Sequence, residues 1–163
     1  MKLLPYRKIT ISTKLSKEEV LQKIRENTAK PYIMNPGGNT LFSGVVIAES
    51  FRVRQNLDYK NSFVPFMTGR FLQHPGHTTL EVTFKPLEFV MAFMALWVGG
   101  VALACIGAFY TIITNESSPA PLFIPFLMFI FGTIVFSGAF ALEYQKSKAA
   151  LLNLIEAEEI QPL

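Results

Sequence analysis

The sequence predicts an α+β protein: a small β-α-β-β-β-β domain, then a transmembrane helical hairpin, then a C-terminal amphipathic helix. Three observations lead to this prediction. Apolar and polar residues alternate in short runs over the first half of the chain, which is typical of strands. Two long uncharged apolar runs follow. Half of the 163 residues are hydrophobic and 15 are Phe, which is more than a small globular core alone requires.

The first strand is predicted at residues 7–13, where Ile9 and Ile11 alternate with polar neighbours. Ser16 and Glu19 then have the spacing of a capping box, in which each side chain accepts a hydrogen bond from the other residue's backbone N–H. A helix is therefore expected to begin there. Its apolar stripe is Val20, Leu21 and Ile24.

Four further strands are predicted at residues 40–48, 51–57, 63–73 and 78–84. Turn residues separate them. Phe51 and Val53 share one face of their strand, and Leu80 and Val82 share one face of theirs. This pattern is expected of an antiparallel sheet that a helix covers on one side.

The hairpin is predicted from two uncharged runs at residues 89–113 and 121–142. At about 1.5 Å of rise per residue, each run is long enough to cross roughly 30 Å of hydrocarbon. Two buried helices of a soluble protein are the alternative, but the chain has too little other material to cover them.

Basic residues near the span ends predict that both termini are cytosolic and that the protein is a multi-pass protein of the cell inner membrane. Residues 1–86 are then a cytosolic domain, 87–142 the hairpin and 143–163 a cytosolic tail. Glu88 and Glu143 are expected to be solvated charges at the same cytosolic boundary. The basic residues that set this orientation are Arg70, Lys85, Lys146 and Lys148.

Small residues recur every four positions in both spans, and such stripes let helix backbones approach closely. We expect them either to hold the hairpin together or to pack against another protomer. They are Gly100, Ala104 and Ala108 in the first span and Thr133, Ser137 and Ala141 in the second.

The tail has an apolar face that suits an amphipathic helix continuing from the second span. Its acidic end, Glu156 to Glu159, has an obvious partner in the basic first domain, where 13 Lys and Arg residues up to position 88 outnumber seven Asp and Glu. We expect the tail to close the uncovered face of the sheet or to be offered to another protein.

Candidate contacts for a protein or lipid partner are Arg52 and Arg54, which share one strand face, and the polar loop residues Tyr59, Lys60 and Asn61. Two arginines in this arrangement suit phosphate or lipid headgroups. A solvated sheet face and a plain turn are the alternatives.

The sequence predicts no catalytic residues, no metal site and no cofactor, because it has no recognisable nucleophile, nucleotide-binding or zinc-ligand motif. The single cysteine, Cys105, lies in an apolar span and cannot form an intrachain disulfide. Nucleic acid is not an expected partner, since the basic surplus shows no recognisable binding fold.

Between residues 40 and 97 the chain carries the series Phe42-x-Gly44, Phe51-x-Val53, Tyr59-x-Asn61-Ser62-Phe63-x-Pro65, Gly69, Phe89-Val90, Phe93-Met94 and Trp97. This series resembles a family of small, uncharacterised two-span bacterial membrane proteins that has no established activity. The resemblance implies a bacterial inner membrane and no particular mechanism.

These observations favour a non-enzymatic module in which the lipid bilayer anchors a cytosolic domain that binds a partner or assembles. A homo-oligomeric pore or membrane-perturbing effector, with the domain as a sensor, is the main alternative. A second membrane protein as partner and a membrane-bound enzyme using the loop at residues 59–63 are further alternatives.

Overall fold

The computed structural model describes residues 6–29, 40–57, 61–72, 77–114 and 123–160. Its strands are β1 (Arg7–Thr13), β2 (Thr28–Ala29), β3 (Phe42–Val46), β4 (Ser50–Gln55), β5 (Phe66–Leu72), β6 (Thr78–Lys85) and β7 (Ala157–Ile160). Its helices are α1 (Lys17–Glu26), α2 (Glu88–Thr114) and α3 (Ile124–Leu154). The mixed α+β class that the sequence predicts is confirmed.

These strands form one sheet in the order β2-β3-β4-β5-β6-β1-β7. Neighbours are antiparallel except β2 and β3, which run parallel. The strands predicted between residues 40 and 84 are β3 to β6, and they lie side by side in chain order. The short strand β2 and the strand β7 were not predicted.

Helix α1 begins with the capping box that the sequence predicts. The Ser16 hydroxyl accepts a 3.2 Å hydrogen bond from the backbone N–H of Glu19, and the Glu19 carboxylate accepts one of 2.7 Å from the N–H of Ser16. The hydrogen bond from the Ser16 backbone lowers the pKa of the Glu19 carboxyl. Val20, Leu21 and Ile24 are buried, as their spacing predicts.

The core lies on one face of the sheet. Residues that lie opposite each other on neighbouring strands share a face, and buried residues lie opposite other buried residues. Phe51 lies opposite Gly69, and Leu80 lies opposite Ile11. Residues of α1 and of the last turns of α3 belong to the same core. The buried cluster is Ile11, Val20, Ile24, Phe42, Phe51, Val53, Met67, Leu80, Val82, Phe84, Phe140, Tyr144, Leu151 and Ile155.

The tail differs from the prediction of one amphipathic helix over residues 143–163. Helix α3 continues to Leu154 as expected, but Glu156 then adopts a φ of 50° and residues 157–160 form β7 beside β1. The prediction of helix beyond Leu154 is wrong, because the unpaired edge of β1 offers hydrogen bonds that a solvated helix end does not. The tail also covers the same sheet face as α1, so the expectation that it closes the other face is wrong.

Two polar residues of α3 are buried in this domain. Ser147 donates a 3.2 Å hydrogen bond to the side-chain oxygen of Gln55 on β4. Glu143 is only 5% exposed and forms a 2.9 Å ion pair with Lys146. The expectation that Glu143 is a solvated charge is therefore wrong.

The chain divides into two compact units, Met1–Leu87 with Phe140–Leu163 and Glu88–Ala139. The tail is thus part of the first unit. In the second unit, Phe93 of α2 meets Phe136 of α3 with ring centroids 6.3 Å apart. Helices α2 and α3, of 27 and 31 residues, are long and apolar enough to cross a membrane.

Candidate functional site

Arg52 and Arg54 lie on β4 and point away from the core, while Phe51 and Val53 between them are buried. This alternation follows from the period of two residues in a strand. The two arginines therefore belong to the sheet face opposite the core, which we call the outer face.

The Phe66 ring on β5 holds both arginines. The guanidinium carbon of Arg52 is 4.9 Å from the ring centroid, and that of Arg54 is 5.9 Å away. Cation–π attraction at these distances restricts both side chains without neutralising their charge. The arginines are thus held in place and can still attract an anion.

Arg54 also fixes the loop that precedes β5, because its guanidinium donates to the backbone carbonyl of Asn61. The Asn61 side chain accepts a 2.9 Å hydrogen bond from the backbone N–H of Phe63, which is the turn chemistry expected of Asn. Burial lowers the pKa of the Arg54 guanidinium, which nevertheless stays charged at neutral pH. Tyr59 and Lys60 lie outside the described residues.

Strand register extends the outer face beyond the residues that the sequence singles out. One row across four strands contains Lys8, Thr83, Thr68 and Arg52. The next row on one side contains Lys85, Phe66 and Arg54, and on the other side Thr10, Glu81, Arg70 and Ser50. The two threonines therefore lie at the centre of a ring that contains the cations Lys8, Arg52, Arg70 and Lys85 together with Phe66 and Glu81.

A shallow depression of about 330 Å³ lies over these threonines. Thr68 and Thr83 are half-buried, whereas Lys8, Arg70 and Lys85 around them are exposed. The small threonine side chains leave space between the longer neighbours. The lining residues are Tyr6, Lys8, Thr68, Arg70, Glu81, Thr83 and Lys85.

Among the described residues that line the depression, Glu81 is the one carboxylate, and it forms a 2.7 Å ion pair with Lys8. The hydrogen bond that the Lys8 ammonium donates to the Glu81 carboxylate is the main cause that raises the pKa of Lys8. Among the described residues of β1 and β3 to β7, the outer face carries Lys8, Arg52, Arg54, Arg70 and Lys85 against Glu81 and Glu158. Its charge is therefore positive.

Sequence reasoning missed Lys8, Thr68, Arg70, Thr83 and Lys85 as members of one surface. A signal was present, because each residue is out of phase with the buried positions of its own strand. The pairing of β1 with β6 was the missing information, since these strands are far apart in the chain.

The predicted helix-packing residues divide into two groups. Ala108 is buried and Thr133 and Ser137 are half-buried, whereas the other three are exposed. A Cβ atom added at Gly100 would meet nothing within 4 Å. The exposed group is Gly100, Ala104 and Ala141.

The arrangement can attract anions through its cations and can donate hydrogen bonds to them from its hydroxyl groups, while the aromatic rings restrain the cations. Among the residues that the structure describes, no group of three His, Cys, Asp or Glu side chains is placed to hold a metal ion. Cys105 is half-buried in α2.

No protein-family model matches this chain, and no curated protein or solved structure matches it.

Proposed function

We propose that this protein is a non-enzymatic, membrane-anchored binding module of the cell inner membrane. Helices α2 and α3 cross the bilayer and hold the α+β domain in the cytosol, with both termini on that side. The outer face of the sheet then binds an anionic partner. The resemblance to small two-span bacterial membrane proteins agrees with this location.

The membrane anchor is supported by the two long apolar helices, whose side chains are largely exposed in the single chain. An exposed apolar surface of this length would be unfavourable in water and is favourable in hydrocarbon. The orientation is supported by the basic residues near the span ends, such as Lys85 before α2.

The binding function is supported by one arrangement on the outer face. Lys8, Thr83, Thr68 and Arg52 form one row across the sheet. The Phe66 ring beside this row holds Arg52 and Arg54. Cations that only keep a protein soluble need no such restraint. Cations fixed around a floor of hydroxyl groups lose less conformational freedom on binding, so they bind an anion more tightly.

A photo-crosslinking residue placed at Val45 in the full chain tests this function in intact cells, because Val45 is exposed on the outer face opposite Arg52. We expect a crosslinked adduct from Val45 that becomes weaker when Arg52 and Arg70 are changed to Gln. Gln22, which is exposed on α1, is the matched control position and should give no such adduct. Absence of any adduct from Val45, of lipid or of protein, would overturn the binding function.

A homo-oligomeric pore is the second candidate function, and the exposed glycines of α2 favour it. Added Cβ atoms at Gly99, Gly100 and Gly107 would meet nothing within 4 Å, so a helix of another protomer has room to approach closely. The mass of the complex in nanodiscs tests this idea. A ring that passes ions in liposomes would support a pore, and a monomer would exclude it.

A further inference from the structure

We propose that the depression over Thr68 and Thr83 binds the headgroup of phosphatidylglycerol, an anionic phospholipid; this inference rests on the binding function proposed above. The headgroup phosphate lies over the two threonines, and its glycerol hydroxyls lie towards Glu81.

The floor of the depression supplies hydrogen-bond donors. Thr68 and Thr83 are direct cross-strand partners, so their side chains project from the same point of the outer face. Within the described residues, neither hydroxyl has a hydrogen-bond partner in the protein. Both hydroxyls can therefore donate to the oxygens of one phosphate group.

The wall of the depression supplies the charge. Arg70 and Lys85 lie at two corners of the threonine pair, and Arg52 lies at the end of the same row. Lys85 also lies 5.8 Å from the centroid of the Tyr6 ring, which restrains its side chain. A phosphate at the centre is thus approached by cations from more than one strand.

Glu81 determines which anionic headgroup fits best. A carboxylate repels a bare phosphate, but it accepts hydrogen bonds from hydroxyl groups. A headgroup that carries hydroxyls beside its single phosphate charge satisfies Glu81 and the threonines together. Phosphatidylglycerol has this chemistry, whereas phosphatidylcholine presents a cation that the basic wall repels.

A lipid is favoured over a soluble anion for two reasons. Only Pro86 and Leu87 separate Lys85 from the first residue of α2, a stretch of chain that spans at most about 10 Å. The outer face also exposes the apolar side chains of Tyr6, at 39%, and Val45, at 52%. Exposed apolar groups beside cations suit the interfacial region of a bilayer.

Native mass spectrometry of the delipidated full chain in neutral detergent tests the proposal with phosphatidylglycerol and phosphatidylcholine as probes. We expect selective binding of phosphatidylglycerol. The double variant Arg70→Gln/Lys85→Gln should weaken it by about 25-fold, at roughly a fivefold loss for each cation near a lipid surface.

Two further variants separate the site from general charge. Lys14→Gln/Arg25→Gln removes the same charge from exposed positions outside the strands that form the outer face and should leave binding unchanged. Thr68→Val keeps the charge and the β-branched shape, and it should weaken binding several-fold through the lost hydroxyl. A thermal unfolding curve for each variant confirms that the domain is folded.

Equal binding of the two lipids, or an equal loss in the Lys14→Gln/Arg25→Gln control, would overturn the proposal. The crosslink from Val45 distinguishes the remaining outcomes. A phosphatidylglycerol adduct supports the lipid site. An adduct with an acidic protein would overturn the lipid site but leave the binding function standing, whereas no adduct would remove both.

Discussion

The Thr13 hydroxyl donates a 2.8 Å hydrogen bond to the backbone carbonyl of Ile155, a residue 142 positions further along the chain. Both residues are buried, and Ile155 has no exposed surface. Beside this bond, Lys23 of α1 forms a 2.5 Å ion pair with Glu156. The residues that follow the two long helices are therefore part of the core and edge of the first domain.

Ile155→Ala should destabilise the domain by about 2–5 kcal/mol, because it removes a fully buried side chain and leaves a cavity. The check is hydrogen exchange of β1 in the full chain in detergent, where protection of Ile11 should fall. Asn153→Ala, at an exposed position of α3, is the control and should change little. Equal protection of β1 in both variants would contradict the role given to the tail.

Gly69→Ala should destabilise the sheet by about 1–3 kcal/mol or more. A Cβ atom at Gly69 would lie 2.2 Å from atoms of the buried Phe51 ring, so the ring must move. The measurement is the midpoint of chemical unfolding. Adding Phe51→Leu should restore part of the loss in the double variant if the ring is the obstacle. Gly138→Ala, where an added Cβ meets nothing within 4 Å, is the control and should not lower this midpoint.

Arg54→Ala should loosen the loop before β5, because the guanidinium no longer holds the Asn61 carbonyl. We expect faster hydrogen exchange at residues 61–64, measured by mass spectrometry. Arg52→Ala removes the same charge from a neighbouring exposed position, where the guanidinium lies over the Phe66 ring, and it should leave that exchange unchanged. Similar exchange in both variants would show that Arg54 does not hold the loop.

The capping box should make α1 sensitive to acid. The pKa of Glu19 is lowered in the folded protein, so its stabilising contribution is complete above the pKa of the unfolded chain. It is lost as the pH falls through the folded pKa. Glu19→Gln removes the titrating carboxyl but keeps a side-chain oxygen that can accept the hydrogen bond from the Ser16 N–H, and this variant should lose less stability on acidification than the unmodified protein, measured by helix content during urea unfolding. An identical acid dependence in the two proteins would show that the capping box does not cause the loss of stability in acid.

Local patterns predicted the elements that depend on neighbours in the chain. Ser16 and Glu19 are three residues apart, so the start of α1 was readable from the sequence, and the uncharged runs marked α2 and α3. The four residues of β7, by contrast, have no pattern of their own. Their strand conformation depends on the free edge of β1, which only the folded sheet provides.

The candidate site was predicted in part for the same reason. Arg52 and Arg54 are two residues apart on one strand, and their shared face followed from strand periodicity. Lys8 and Thr83 belong to strands that meet only after folding, so their place in the same row depended on register. The four-residue spacing that begins at Gly100 predicted that these small residues share one face of a helix. It did not predict what that face contacts.

The position of β1 between β6 and β7 has a consequence for biosynthesis. The ribosome makes β1 before the other strands, but β7 emerges only after α2 and α3 have been translated. Until then, one edge of β1 has unpaired backbone groups of the kind that recruit other strands. Completion of the sheet therefore reports that both long helices have been made, and a chain that stalls between α2 and β7 would present this edge of β1 to chaperones and proteases.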